Sequence, residues 1–251
     1  FEGNWHGRTM GAQHLSSNRS QRAWIGYDDP DVLRLPFPYP WESDAISDPA
    51  AFLRCNLDAA LGQLGATVAD DVAGFFLETY QGWGAVFYPP TFVQEIERTA
   101  RSGKALLVFD EMQAGFARTG KLFGYEHYDV TPDLVCCGKG ASSSLPLAFV
   151  LGRRDLLDLP SEGSMSSTHS ANPVSCSAGL SNLEVILREN LVERAMQQGL
   201  RFHQALSSMA STIQCLRCVE GKGMVAALIF DDLGSMSGVD IATAVSEECM
   251  R

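Results

Sequence analysis

The sequence predicts an α/β protein with a mixed or largely parallel sheet. From about residue 70 onward, short unbroken apolar segments alternate with longer segments of helical periodicity. Several apolar segments end directly in charged or polar residues, as buried strands of open α/β sheets do. The chain has 251 residues, of which 45% are hydrophobic and 20% charged, enough for one large domain or two smaller ones.

The first elements follow from these patterns. Residues 11–60 are rich in Pro, Ser and aromatic residues, which predicts long loops with one helix over 49–64. An amphipathic helix is predicted over 91–101, after a Pro pair and ending at Gly103. Buried strands are predicted over residues 72–77, 104–110, 133–137 and 147–151.

The last third of the chain has a different pattern. An Asn-Pro pair at 172–173 predicts the N-cap and first turn of a helix that ends near residue 189, and a second helix is predicted over 191–209. Two strands and a final helix are predicted over 213–219, 224–230 and 239–250. We therefore predict a large domain over 1–190 and the beginning of a smaller α+β domain over 191–251.

Composition argues against several classes of function. The chain has 19 Lys and Arg against 30 Asp and Glu, a formal charge of −11 with no basic run, so nucleic acid is not an expected partner. Its apolar stretches are far shorter than the ~20 residues that cross a bilayer, so no membrane span is expected. Seven scattered cysteines, with one CxxC that lacks further ligands, are typical of reduced thiols in a cytoplasmic protein without a zinc site.

Asp110 and Lys139 are the first candidates for chemistry, because each closes an apolar strand. Lys139 stands between two glycines, and a buried amine is costly unless its pKa falls or it forms an imine. Pyridoxal phosphate (PLP) requires such a lysine together with a carboxylate facing its ring nitrogen. Two alternatives stay open from the residues alone: a solvent-exposed lysine, and a Mg-dependent NTPase-like domain using Asp110 and Glu111, although no GxxxxGK[ST] loop is present.

Five ordered motifs resemble those of the class III (ω-type) aminotransferases of PLP fold type I. They are WHGRT at 5–9, ETYQG at 78–82, DEMQAGFARTGKLF at 110–123, PDLVCCGKG at 132–140 and STHSANP at 167–173. The resemblance covers most of the chain. It implies a three-layer, aspartate-aminotransferase-like PLP-transferase fold for the large domain, and a homodimer with shared active sites.

The resemblance implies a role for each matching residue around the cofactor. Lys139 would hold PLP as an internal aldimine and then carry the proton between substrate and cofactor. Asp110 would pair with the pyridinium nitrogen. Trp5 and Met112 would cover the two faces of the ring, and Gln113 would reach its phenolic oxygen.

Further positions complete the implied site. Thr168 would contact the cofactor phosphate of the neighbouring subunit, and Glu78 would lie beside the cofactor. His6 belongs to the same cofactor-binding region, and for both His6 and Arg8 a structural role is expected. Trp83 replaces a Glu that masks a substrate-binding arginine in many members, so we expect a donor other than the simple ω-amino acids.

The implied function is PLP-dependent transamination between an amino donor and a 2-oxo acid by a ping-pong route. A decarboxylase, racemase, lyase or aminomutase on the same scaffold remains an alternative, as does a catalytically silent domain. The chain begins at Phe1 and stops at Arg251, so we expect it to lack the family's N-terminal phosphate-binding loop and its C-terminal carboxylate-binding arginine. We therefore expect little turnover from these residues alone.

Overall fold

The computed structural model describes the backbone of residues 1–251 and every side chain except those of residues 43 and 44. In chain order, its helices are α1 (Met10–Leu15), α2 (Arg19–Arg22), α3 (Ser43–Ser47), α4 (Pro49–Leu64), α5 (Val68–Asp71), α6 (Pro90–Gly103), α7 (Arg154–Leu157), α8 (Pro173–Arg188), α9 (Leu191–Ala210) and α10 (Gly238–Cys249). Its strands are β1 (Gly74–Glu78), β2 (Tyr80–Gln81), β3 (Val86–Phe87), β4 (Leu106–Asp110), β5 (Leu134–Cys137), β6 (Phe149–Gly152), β7 (Leu216–Glu220) and β8 (Ala227–Phe230).

The main sheet has the strand order β1-β4-β5-β6. Strands β1, β4 and β5 are parallel, and β6 runs antiparallel to β5. In the register of this sheet, Glu78 lies opposite Asp110, and Asp110 lies opposite Cys136. The predicted α/β class with a mostly parallel sheet is therefore confirmed.

The core lies between this sheet and helices α4 and α6. Phe92 and Ile96 on α6 are completely buried, as are Leu77 of β1 and Leu107 of β4, and Leu57 of α4 joins the same cluster. Burying a side chain of this size contributes about 1.5–3 kcal/mol relative to leaving it exposed. The apolar face of α6 thus holds β1 and β4 in place, and the site residues stand at the ends of these two strands.

Two predicted boundaries illustrate what local signals determine. Helix α4 covers 49–64 as predicted, because the Asp48 side chain accepts a hydrogen bond from the Ala51 N–H and Gly65 ends the helix at a φ of +65°. The helix predicted over 91–101 covers Pro90–Gly103: Gly103 is still helical, and Lys104 takes the left-handed φ of +59°. A Cβ on Gly103 would lie 2.5 Å from Val68 Cγ1, so this glycine permits the approach of α5.

Other differences are at the edges of elements. The strand predicted from residue 104 begins at 106, because Lys104 caps the helix. The segment 11–60 contains short helices besides α4, each of at most six residues, which is too short to show a helical period in the sequence. Within the described residues, none of the helices combines the length and the apolar character that crossing a bilayer requires.

Helix α9 and the β7–β8 hairpin meet the loop after β4 through glycines. A Cβ on Gly223 would lie 2.3 Å from the carbonyl carbon of Thr119, and one on Gly199 would lie 2.5 Å from Gly223 Cα. The Met224 N–H donates a 2.9 Å hydrogen bond to the Arg118 carbonyl oxygen. The backbones themselves are therefore in contact here. A domain boundary at residue 190 stays a prediction.

We predict that Gly223→Ala destabilises the protein. Gly223 has a φ of +58° and backbone atoms against its missing Cβ, so alanine brings both strain and a clash. The expected loss in the free energy of unfolding is about 1–3 kcal/mol, measured by urea denaturation. Gly62→Ala is the control, because this helical glycine of α4 has open space around it and alanine favours a helix. Equal midpoints for the two variants would contradict the prediction.

Candidate active site

Three site residues lie at one edge of the main sheet. Glu78 and Asp110 are the last residues of the adjacent parallel strands β1 and β4, and they are register partners. Cys136 of β5 is the next partner of Asp110, and Lys139 follows β5 after one glycine. The carboxyl ends of parallel strands are where open α/β sheets bind ligands. The structure thus brings Asp110 and Lys139, far apart in sequence, to the same edge.

Asp110 is a buried carboxylate held by two donors. His6 Nδ1 lies 2.9 Å from Asp110 Oδ2, and the Met112 N–H donates a 3.0 Å hydrogen bond to Oδ1. The His6 ring packs edge-on against Phe76, with ring centroids 4.7 Å apart. Its backbone N–H donates to Ser16 Oγ at 2.8 Å. The imidazole is therefore fixed with Nδ1 facing Asp110, a contact that no motif in the sequence predicts.

Glu78 is a second buried carboxyl group, and its environment is different. Burial and the nearby charge of Asp110 raise the pKa of Glu78 to about 8, against the opposing effects of its hydrogen bonds and of Lys139. Its Oε2 accepts a 2.9 Å hydrogen bond from the Trp5 N–H. A Cβ on Gly82 would lie 2.8 Å from Glu78 Oε1 and 3.1 Å from Gln113 Oε1. Gly82 therefore leaves room for Glu78 and Gln113 to converge.

Lys139 is held in an uncommon backbone conformation. Its φ is +40°, in the left-handed region that non-glycine residues rarely adopt. Such strain is concentrated at functional sites, because the surrounding structure must enforce it. A Cβ on Gly138 would lie 2.4 Å from Met112 Sδ, so the glycine before the lysine allows Met112 to pack close beside it.

A cavity of about 570 Å³ lies beside these residues, lined by Met112, Lys139 and residues 143–148 among others. A second cavity, of about 560 Å³, is lined mainly by apolar residues such as Leu57 and Phe75 and does not include Lys139. Lys139 and Met112 line the first cavity, which we therefore take as part of the candidate site.

Two tryptophans and an arginine stand next to this edge. The rings of Trp5 and Trp83 meet edge to face, with centroids 6.1 Å apart. The Arg8 guanidinium lies 5.1 Å from the Trp5 ring centroid. Trp83 is 62% exposed, so its indole is open to a molecule that enters the site.

Glu111 is completely buried and has a structural environment. It accepts hydrogen bonds from Thr79 Oγ1 at 2.5 Å and from the N–H groups of Gly124 and Tyr125 at 2.8 Å each. Burial raises the pKa of Glu111 to about 7, and the three donated bonds oppose that rise. Because these donors occupy the carboxylate, it is not free to bind magnesium, which argues against the NTPase-like alternative.

Thr168 is not brought to this cluster within the chain. It lies exposed in a turn-rich segment after α7, and the described contacts do not join it to Asp110 or Lys139. The N-cap predicted for the following helix is confirmed, since Asn172 Oδ1 accepts hydrogen bonds from the N–H groups of Val174 and Ser175. A contact of Thr168 with a neighbouring subunit stays a prediction.

Comparison with known proteins identifies relatives along the whole chain. The family model described as Aminotransferase class-III matches residues 1–248. An alanine/serine racemase of Pyrococcus horikoshii is 34% identical over 233 residues, which cover 90% of this chain and 49% of that protein. An ornithine aminotransferase of Emericella nidulans is 34% identical, covering 92% of this chain and 49% of that one. A 4-aminobutyrate aminotransferase of Mycobacterium leprae is 30% identical, with 91% and 52% covered.

Solved structures have the same fold. The ornithine aminotransferase from Toxoplasma gondii, crystallised with partial occupancy of PLP at its active site, matches with a TM-score of 0.76 and 28% identity. That match covers 92% of this chain and 50% of the other. An (S)-enantioselective omega-transaminase from Thermomicrobium roseum matches with a TM-score of 0.81 and 28% identity, covering 91% and 52%. The chain thus spans about half the length of the relatives it matches.

We predict that Glu78 makes the cofactor-free protein less stable as pH rises. Its carboxyl has a folded pKa of about 8 against an ordinary value of 4.5, so its proton stabilises the folded state below about pH 4.5. That contribution is lost as pH rises from 4.5 through 8. Glu78→Gln removes this dependence, so the variant should gain stability relative to wild type between pH 5 and pH 8.5 in thermal unfolding. The exposed Glu162→Gln is the control, and parallel curves for all three proteins would contradict the prediction.

Proposed function

The chain belongs to the class III aminotransferase family, and on that premise we propose that the protein containing it moves an amino group from an amino donor to a 2-oxo acid with PLP as cofactor. The observation that carries this proposal is the position of the His6–Asp110 pair and Lys139 at one edge of the sheet. The proposal concerns the whole protein, because the chain covers about half of its relatives.

The residues present fit PLP. Asp110 offers a buried carboxylate to a protonated ring nitrogen, and Lys139 offers an amine to an aldehyde. The indole of Trp5 and the thioether of Met112 supply apolar surfaces for a flat ring, and Gln113 supplies an amide. When bound, PLP withdraws electrons from the Cα of an amino substrate.

The residues have separate tasks in this proposal. His6 Nδ1 holds the Asp110 carboxylate in one orientation, and the Phe76 ring keeps the imidazole in place. Lys139 Nζ would hold the cofactor covalently, and its free amine would remove the proton from the donor Cα and deliver a proton to the Cα of the amino acid made from the 2-oxo acid. The strained backbone of Lys139 fixes the point from which this amine acts.

Arg8 supports binding of a substrate carboxylate. Its guanidinium lies against Trp5, and it forms no ion pair with any carboxylate whose side chain the structure describes. A free guanidinium matches the planar carboxylate of a 2-oxo acid through two parallel hydrogen bonds. This role differs from the structural one expected from the sequence.

A racemase is the second candidate, since one relative at 34% identity is an alanine/serine racemase. The deciding experiment incubates the whole protein with an L-amino acid in D₂O, with and without a 2-oxo acid. A transaminase makes a new 2-oxo acid beyond one equivalent per site, and a new amino acid, only when the acceptor is present. A racemase forms the D-enantiomer, with deuterium at Cα, without any acceptor. Racemisation alone would overturn the transaminase proposal.

We also propose that the protein is a homodimer in which Thr168 reaches the partner's site. The segment of Thr168 and the helix that follows expose several large apolar side chains, which a second copy would cover: Leu159, Met165, Val174, Leu180 and Leu187. Sedimentation of the whole protein tests this assembly. A monomer at micromolar concentration would contradict it.

We predict that Lys139 is the lysine that PLP modifies. The whole protein with PLP should absorb visible light, and borohydride should then fix the cofactor on the peptide that contains Lys139, as read by mass spectrometry. Lys139→Ala should lose both signals and keep its far-UV circular dichroism, because the change removes an amine and no core volume. The exposed Lys121→Ala is the control and should keep both signals. An adduct on Lys121 in place of Lys139 would refute the assignment.

We predict that Trp83 favours donors with an apolar or aromatic side chain over ω-amino acids. Its exposed indole meets Trp5 at the substrate side and offers no charge to an ammonium or carboxylate group. Trp83→Ala should lower the ratio of kcat/KM for phenylalanine to kcat/KM for ornithine about tenfold. This corresponds to about 1.4 kcal/mol, the size expected for the loss of one aromatic contact. The exposed Trp24→Ala is the control. A wild-type preference for ornithine would contradict the prediction.

A further inference from the structure

The loop that carries Trp83 is held by Gln81. The Gln81 side chain is buried, and its Oε1 accepts a 3.0 Å hydrogen bond from the Gly84 N–H. Its Nε2 donates a hydrogen bond to the hydroxyl oxygen of Tyr39. A Cβ on Gly3 would lie 2.1 Å from Gln81 Nε2, so Gly3 provides the space in which this amide sits. The Gln81 amide therefore connects the turn at 81–84 to Tyr39, with its oxygen bonded to Gly84 and its nitrogen to the tyrosine hydroxyl.

Tyr39 is in turn held by an aromatic stack. Its ring lies parallel to that of Trp41, with centroids 4.9 Å apart and an angle of 18° between the planes. The Arg217 guanidinium of β7 lies 5.6 Å from the Trp41 ring centroid, and Asp231 pairs with this arginine. A cation over an aromatic face is attracted by the ring quadrupole.

The second sheet also approaches the turn directly. A Cβ on Gly84 would lie 4.0 Å from Ile229 Cδ1 of β8 and 2.9 Å from Gln81 Oε1. The β7–β8 hairpin therefore reaches the Trp83 turn by two routes: through Arg217 and the aromatic stack, and through Ile229 of β8. Neither route includes a residue of the Asp110 and Lys139 cluster.

We infer that Tyr39 and Trp41 are positioning residues that set the substrate preference by fixing the loop of Trp83. This inference rests on the proposed function, because it takes Trp83 as a wall of the substrate site. If Tyr39 loses its hydroxyl, the buried Gln81 amide loses its acceptor, and the Gly84 N–H then bonds to an amide that can rotate. Trp83 would move with the turn, and contacts to an apolar side chain of the donor would weaken.

The test uses Tyr39→Phe and Trp41→Leu in the whole protein with cofactor bound. Each has a matched control: Tyr27→Phe, whose hydroxyl has no hydrogen bond among the described residues, and Trp24→Leu, which is exposed and has no described ring contact. The first readout is hydrogen–deuterium exchange of the peptide that spans residues 81–88. We expect exchange about fivefold faster in both test variants and unchanged in both controls.

The second readout is steady-state kinetics with an aromatic donor. We expect KM for phenylalanine to rise about fivefold in Tyr39→Phe and Trp41→Leu. Their kcat should stay within about twofold of the control variants, and their thermal unfolding midpoints within about 2 °C. A merely structural role would lower the midpoint without separating KM from kcat.

The outcomes distinguish the two proposals. Unchanged exchange in the test variants would overturn the inference whatever the enzyme catalyses. Faster exchange with an unchanged KM in an active transaminase would also overturn it, because the loop would then not set the preference. If the wild-type protein does not transaminate, the proposed function fails, and the exchange readout alone decides whether Tyr39 and Trp41 hold the loop.

Discussion

The site depends on a carboxylate kept inside the protein at the end of a central strand. Burying an ionised carboxylate costs several kcal/mol unless donors or cations face it. At Asp110 one donor comes from the next turn and the other from His6, which is 104 residues upstream. This second contact fixes the N-terminal segment against the sheet edge. The orientation of Trp5, one residue before His6, follows from it.

The same edge shows how similar side chains acquire different properties from their neighbours. Glu111, next in sequence to Asp110, faces the opposite way and receives three donated hydrogen bonds, so it joins β4 to the turn after it. Glu78 has fewer donors and faces the charge of Asp110, so its pKa rises to about 8 and its proton is retained near neutral pH. Asp110 has one partner at each oxygen, His6 Nδ1 beside Oδ2 and the Met112 N–H at Oδ1.

The proposed substrate side is built differently from the proposed catalytic side. Asp110 ends a strand that the hydrophobic core fixes, and Lys139 follows the neighbouring strand, whereas Trp83 lies on a turn held by one buried amide. In the proposed function, this arrangement would let the substrate preference change at the turn without moving Asp110 or Lys139. The β7–β8 hairpin approaches this turn through Ile229, so a strand late in the sequence also lies beside Trp83's turn.

The sequence by itself determined the α/β class, the bounds of α4 and the shared edge of Asp110 and Lys139, because these follow from local periodicity, caps and the rule that parallel strands end together. It did not reveal the His6–Asp110 pair or the Tyr39–Gln81 contact. It also misread Gly103 as a helix end. These features join segments far apart in the chain. They are decided by strand register and by how closely backbones pack, and neither leaves a periodic signal in the amino-acid order.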